Sequence, residues 1–460
     1  MGILLVEVEK KGIPGVLETW DTEDLKRITH DNFLMNGVPQ CREVYTPPDP
    51  RISDLSEYAQ DLIDALTRPR TEEEVVSGTY VPPTLPRIAF TGTYDEVHDF
   101  FMGDLGRIPA DSKAAPIGLM TDGLPVVPPT EEKVAEMLTG TSHSPDEVLL
   151  LPQQGGGKAP KMGPKELRVT VEKVAINAVM AGCRPEYLPV VLAIAETAPP
   201  VSYPGDSSSG AMYIVSGPIA KEIRMNSFFC ATCPGNPANA SIGRAATLVG
   251  INGGGVEIGL TCPNRTGNPI WSLTFAEATD RSPWQGINVD EGYGADESVL
   301  LACHGTGFFI PLNTGEVATP HNLDEVLVST PENVIESIKI ARKSGGALIM
   351  FTPFTAKKWK EDHGFETIQE LQDYLWDNTT WSVGELKSWY WFYGRRQEVE
   401  RNERGTRTVN PDHLDLPDDA QVPMFIGGPE TIKIVVSGGD GDGWGFGGWR
   451  YSSSSIDKWR

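Results

Sequence analysis

Apolar and polar positions alternate along this chain with two periods, and their order predicts an α/β arrangement. The stretches "IPGVLETW" (13–20) and "CREVYTP" (41–47) read as strands. Leu4 to Lys11 reads as a helix, "TEDLKRITHDNFLMNG" as a second stopped by Gly37, and "SDLSEYAQDLIDALT" as an amphipathic third capped by Ser53. Two strands with helices cannot bury both faces of a parallel sheet. Residues 1–70 therefore read as half of a doubly wound domain, completed by other strands. A Pro- and Glu-rich stretch at 71–90 reads as a linker, and 91–460 as the main α/β or α+β domain.

The second region opens with a strand, "RIAFTGT", and a helix, "YDEVHDFFMGD". Thr130 is placed to cap a helix with Glu132 and Lys133 in its first turn. A helix from Thr170 to Gly182 and another with Pro185 in its first turn follow, joined at Cys183. Thr330, Pro331 and Gly345 bracket a further helix leading into a strand. "WSVGELKSWYWFYGRRQEVERNERG" reads as an aromatic, charged helix, and "ETIKIVVSGGDGDGWGFGGWR" as a strand running into a glycine loop.

Composition narrows the function. The 460 residues are 39% apolar and 22% charged, an ordinary globular mixture. A net charge of −24 argues against a nucleic-acid partner, which needs clustered Lys and Arg. No stretch approaches the roughly 18 apolar residues of a membrane-spanning helix, and "MGILLVEVEKKGIPG" lacks the pattern of a signal peptide. A cytoplasmic location is expected. Six cysteines in this length do not make a disulfide scaffold, so in a reducing compartment a Cys-x-x-Cys points to catalysis or metal binding.

That motif is in "FFCATCPGNPANASIGRAATLVGINGGG". Asn236 is a candidate N-cap and Pro237 a candidate first helical residue. Ile242, Ala245, Ala246 and Val249 then form an apolar stripe. Cys230 and Cys233 precede the positive end of this helix, where a thiolate or an anionic substrate is favoured. Cys262 and the Cys303-His304 pair lie further on. Arg244, two turns in, reaches either a substrate or a carboxylate. Lys173 and Asn177 share one face of the Thr170 helix and have either a substrate-side or a buried, hydrogen-bonded role.

"TDGLPVVPPTEEKV", "TVEKVAINAVMAGCRPEYLPVV" and "ANASIGRAATLVGINGGG", with "ATDRSPWQGINVDEGY" and the terminal "IVVSGGDG", resemble the UGSC-type (seleno)proteins. That family is named for a Sec/Cys-Gly-Ser-Cys tetrad in its N-terminal domain, which implies thiol or selenol chemistry. The likeness covers most of 90–320 and the tail. No Cys-Gly-Ser-Cys occurs here, and residues 1–70 resemble only the second half of the tetrad domain. The resemblance thus implies a separate small subunit supplying the missing half, in a hetero-oligomer of which this chain is the large subunit. Family members carry Gly-Pro-Gly where this chain has "CPG", and Cys230 is an addition.

Three readings follow. The first is an oxidoreductase or lyase subunit using thiols on a small anionic or carbonyl-bearing substrate. There Cys233 is nucleophile or redox partner, Cys230 resolves it, and His304 is a general acid or base. Asn236, Asn239, Arg244, Lys173 and Asn177 are its substrate-binding candidates. The second is a zinc or iron–sulfur lyase or hydratase with Cys230, Cys233, Cys262 and Cys303 or His304 as ligands. The third is a non-catalytic scaffold for a tetrad-bearing small subunit. Against all three stands the plain role of free cysteines as small packed residues.

Overall fold

The computed structural model describes residues 13–21, 26, 42–47, 56–69, 87–88, 90–102, 121–152, 157–163, 167–198, 210–255, 273–306, 330–341, 346–392, 410–425, 427–440, 444–447 and 450–460. The helices read at 4–11 and 22–37, the cap Ser53, and Cys41 and Cys262 lie outside these residues. The chain divides into two units, 1–119 with 256–263 and 120–255 with 264–460.

In the first unit, β1 (Leu17–Trp20) pairs in parallel with β2 (Glu43–Thr46), and α1 (Ala59–Thr67) follows a short 3-10 turn. Arg42 ties the strand to the helix through Nη1 to the Leu66 carbonyl, 2.8 Å. The next element is α2 (Tyr94–Met102). The strand expected at 87–93 does not form among the described residues there. Thr93 instead caps α2, its N–H donating to Glu96 Oε2 at 2.7 Å while the Glu96 N–H reaches Thr93 Oγ1. Phe90 stacks on Phe100, ring centres 4.9 Å apart. Local capping has overridden strand propensity.

The second unit holds the cysteine loop. It opens with α3 (Glu131–Leu138), capped by Thr130, and a two-residue hairpin of β3 (Leu151–Pro152) and β4 (Lys158–Ala159). Next come α4 (Val171–Ala181), with Thr170 as N-cap and Gly182 left-handed at its end, and α5 (Leu188–Glu196). Every residue of α5 from Leu188 to Ala195 is buried, as its all-apolar surface requires. After β5 (Gly210–Ser216) and the short α6 (Pro218–Glu222) comes the long α7 (Pro237–Gly254). It packs against α4, α5 and the next strand, β6 (Leu273–Ala276).

The short α8 (Ile287–Asp290), β7 (Val299–Thr306), α9 (Pro331–Ala341), β8 (Ala347–Phe351), α10 (Pro353–His363) and α11 (Ile368–Asn378) follow. The chain then runs through β9 (Thr380–Ser382), α12 (Val383–Phe392), β10 (Gln421–Pro423), β11 (Ile432–Val436), β12 (Trp444–Gly447) and β13 (Arg450–Ser455). Strands β13-β7-β5-β6 form one mixed sheet, with β5 and β6 parallel, and β11-β8-β12 another, with β11 and β8 parallel. One apolar cluster joins them: Met212, Ile214, Phe275, Leu301 and Cys303 from the first sheet, Leu348 and Val435 from the second, with Ala231 and Ile287. The architecture is α/β with mixed sheets. Among the described residues no helix is long and apolar enough to cross a membrane.

Arg244 fastens the start of this unit to α7. Its guanidinium grips Asp122 with two bonds, 2.8 and 2.9 Å, and donates to the carbonyls of Leu124 and Pro125. The Asp122 side chain is fully enclosed. Arg244→Ala leaves that carboxylate buried without its counter-charge and is expected to cost about 3–5 kcal/mol. Arg244→Lys should recover only part, because an ammonium cannot reproduce the fork. Urea unfolding of the full chain checks both.

Candidate functional site

The segment between α6 and α7 has no regular structure, so its backbone groups depend on side chains. Three asparagines supply them. Asn226 accepts from the Phe228 N–H at 2.9 Å and donates to the Phe229 carbonyl at 2.9 Å. Asn239 accepts from the Asn226 N–H at 3.0 Å and donates to the carbonyls of Asn226 and Ala231, each 3.1 Å away. Asn236, the N-cap of α7, accepts from the Asn239 N–H and donates to the Arg224 carbonyl. The loop then makes two consecutive turns, Ala231 N–H to Phe228 C=O and Cys233 N–H to Cys230 C=O, 3.1 and 2.9 Å. Cys230 has φ +55°, a left-handed conformation that a non-glycine residue adopts at a cost.

Strand ends converge on this loop. Asn226 C=O accepts from the N–H of Ala276, the last residue of β6, and Ser227 C=O accepts from Gly438 N–H just beyond β11. Arg281 donates to the same Ser227 carbonyl at 2.6 Å and lies over the Phe228 ring, 4.3 Å from its centre. Phe229 lies on Gly439 so closely that a β-carbon there would come within 2.1 Å of the ring. Loops outside the carboxyl ends of parallel strands are the usual place for sites in such sheets.

Cys230 and Cys233 are both free and exposed. The neighbouring Cys230 thiol pushes the Cys233 pKa above its ordinary value. This reverses the expectation that the helix entrance ionises Cys233. The first turn of α7 already spends an N–H on Asn236, and the sulfur beside Cys233 opposes a second negative charge.

The remaining candidates are dispersed or already engaged. Asn236 and Asn239 hold the loop, and Asn239 is buried. Arg244 is committed to Asp122. Lys173 is exposed and donates to the Arg168 carbonyl at 2.7 Å. Asn177 donates to the Lys173 carbonyl and accepts from Asn252 at 2.6 Å, pinning α4 to the far end of α7. Asn252 is roughly 24 Å along the helix from Asn236 at 1.5 Å per residue. Lys173 and Asn177 thus belong to a different part of the molecule from the thiols.

Cys303 is fully buried in the apolar cluster that joins the sheets, where burial raises its pKa strongly, as befits packing rather than a ligand role. Cys303 and His304 are consecutive on a strand and point to opposite faces. His304 is buried edge-on to Tyr213, on the other side of β7 from the cluster containing Ala231. It is not a partner for the two thiols. Of the four proposed metal ligands, Cys303 is thus buried in this cluster, Cys230 and Cys233 are exposed, and Cys262 lies outside the described residues. Among the described residues no three His, Cys, Asp or Glu side chains are placed to hold a metal ion. Cys183, its thiol bonded to Ser241, is pushed up to about 12 by burial.

Residue types did not reveal Asn226, Phe229, Arg281 or Gly439. Their only signal was that Arg281 and Gly439 sit in the distinctive stretches "ATDRSPWQG" and "IVVSGGDG". No protein-family model, curated protein or solved structure matches this chain.

Beside this loop, Glu277 immediately follows β6. Burial pushes its carboxyl up to about 7, despite bonds from Ser216 Oγ at 2.6 Å and Ile287 N–H at 2.9 Å; Asp290 adds to the rise. The folded chain thus holds a proton that the unfolded chain releases nearer its ordinary 4.5. This contribution to stability is complete below pH 4.5 and is lost as pH rises through about 7, about 3 kcal/mol in all. Glu277→Gln should remove that slope and be the more stable protein at pH 8, checked by urea unfolding between pH 5 and 8. Gly439→Ala must displace the Phe229 ring. An overpacking loss of about 1–3 kcal/mol is expected, with an altered alkylation rate at Cys230 measured by mass spectrometry.

Proposed function

We propose that this chain is the large subunit of a heteromeric enzyme that uses cysteine thiols on a small anionic or carbonyl-bearing substrate. The observation that carries this reading is the exposed pair Cys230 and Cys233, joined by one backbone turn on a loop held by three asparagines. Buried cysteines pack; two exposed thiols on an immobilised loop have no packing role to explain them. The resemblance to the UGSC-type (seleno)proteins supports the same chemistry and a small partner chain completing the N-terminal half-domain. Free thiols at the surface suit a reducing compartment such as the cytoplasm.

Arg281 supports the site as a positioning residue, since it fixes Ser227 and Phe228 at the loop's start. Cys230 raises the Cys233 pKa, so Cys230 is the sulfur assigned to attack and Cys233 the one to follow.

The test is purification of the native complex and identification of what accompanies the chain. A panel of small carbonyl and carboxylate compounds is then screened for turnover. Cys230→Ser and Cys233→Ser should each lower turnover at least 100-fold while unfolding at the wild-type urea midpoint. Full turnover in both variants, or full activity of the chain as an isolated monomer, would refute the proposal.

A further inference from the structure

We infer that Cys230 and Cys233 form a reversible two-electron dithiol–disulfide couple whose co-reactant is a disulfide, with Cys230 as the attacking sulfur and Cys233 as the resolving one. This rests on the thiol reading above and decides between its redox and nucleophilic forms.

The backbone is already set for closure. Cys233 N–H bonds to Cys230 C=O at 2.9 Å, a four-residue turn. Such a turn keeps its end Cα atoms within about 7 Å, which overlaps the 4.4–6.8 Å span of a disulfide. Both thiols are free and exposed on this one turn. Asn226, Asn239 and Asn236 hold the flanking backbone, so forming the bond needs little movement elsewhere.

The neighbours also speak against a simple nucleophile. A Cys nucleophile in acyl transfer relies on a base hydrogen-bonded to its sulfur. Here the group at the other end of the Cys230 turn is a second thiol, and His304 is edge-on to Tyr213 on the opposite face of β7 from Cys303. Phe228 and Phe229, 40% and 58% exposed, immediately precede Cys230, and both thiols are open to an incoming molecule.

The Cys230 thiolate attacks one sulfur of R–S–S–R. The old S–S bond breaks, one RS⁻ departs and takes a proton from solvent, and a mixed disulfide remains on Cys230. Cys233 then gives its proton to solvent and attacks the Cys230 sulfur, expelling the second RS⁻, which is protonated in turn. Two protein thiols are oxidised to one disulfide, and R–S–S–R is reduced to two R–SH. The reverse sequence reduces the protein.

The full chain is equilibrated in buffers of reduced and oxidised glutathione, quenched in acid, and the thiols trapped with N-ethylmaleimide for mass spectrometry. The 230–233 peptide should lose two hydrogens with a single two-electron dependence on the buffer. Cys233→Ser should accumulate one glutathionyl group on Cys230, and Cys230→Ser should form its adduct at least tenfold more slowly. A parallel arm offers the reduced chain insulin, whose disulfides are those of a protein. Reaction with either disulfide supports the couple and tells which source it accepts. If the pair stays reduced with both while N-ethylmaleimide labels both thiols, the redox inference falls and the thiol reading stands. If neither thiol is labelled in the folded chain, both fall. If the stable adduct forms on Cys230→Ser instead, the assignment of roles is overturned.

Discussion

One buried amide governs the candidate site. The Asn239 side chain reaches back from the first turn of α7 to take the N–H and the C=O of Asn226 and the C=O of Ala231. Those backbone groups belong to an irregular segment with no ladder to satisfy them, and a buried polar group left unpaired costs about 1–3 kcal/mol. The loop therefore has one conformation in which its polar groups are met. In that conformation Cys230 is left-handed and both thiols are exposed. The helix contributes less through its dipole than through the side chain it projects onto the loop.

The remaining fixings come from segments far apart in sequence. Arg281 follows β6, and Gly438 and Gly439 follow β11; these strands end side by side, with Ala278 N–H bonded to Val436 C=O at 2.8 Å and Ser437 Oγ to Ala276 C=O. The shared cluster of Phe275, Leu301, Leu348 and Val435 is what brings the ends together. Packing between the two sheets is thus a precondition for the thiol geometry. Glu277 sits at this junction as a carboxyl that burial pushes up to about 7, which reduces the charge placed between the strand ends.

Local features were legible in the sequence because their causes are local. Thr130, Thr170 and Asn236 cap the helices they precede, Pro185 opens a 3-10 turn before α5, and Gly182 ends α4 with φ +83°. Arg244 meeting a carboxylate was one of two stated roles, but Asp122 as its partner requires the tertiary fold. The cysteine loop was visible as a motif; its support by Asn226, Arg281 and Gly439 was not, since contact across two sheets leaves no spacing to read. The placement of Cys303 and His304 was hidden for a different reason. Adjacent on a strand, they face opposite ways, a consequence of period two that the pair's proximity in sequence conceals. The strand expected at 87–93 gave way to the Thr93–Glu96 cap.

What a thiol does is set by what shares its proton. An imidazole neighbour can accept the proton and leave a strong nucleophile; a second thiol competes for the same charge. In this chain the second arrangement holds, and it raises the Cys233 pKa. A raised pKa weakens Cys233 as a first attacker. It does not weaken it as a resolver, because the target sulfur is then on Cys230, joined to Cys233 by a single hydrogen-bonded turn. The feature that spoils the simple nucleophile is therefore the one that suits the pair to work in sequence.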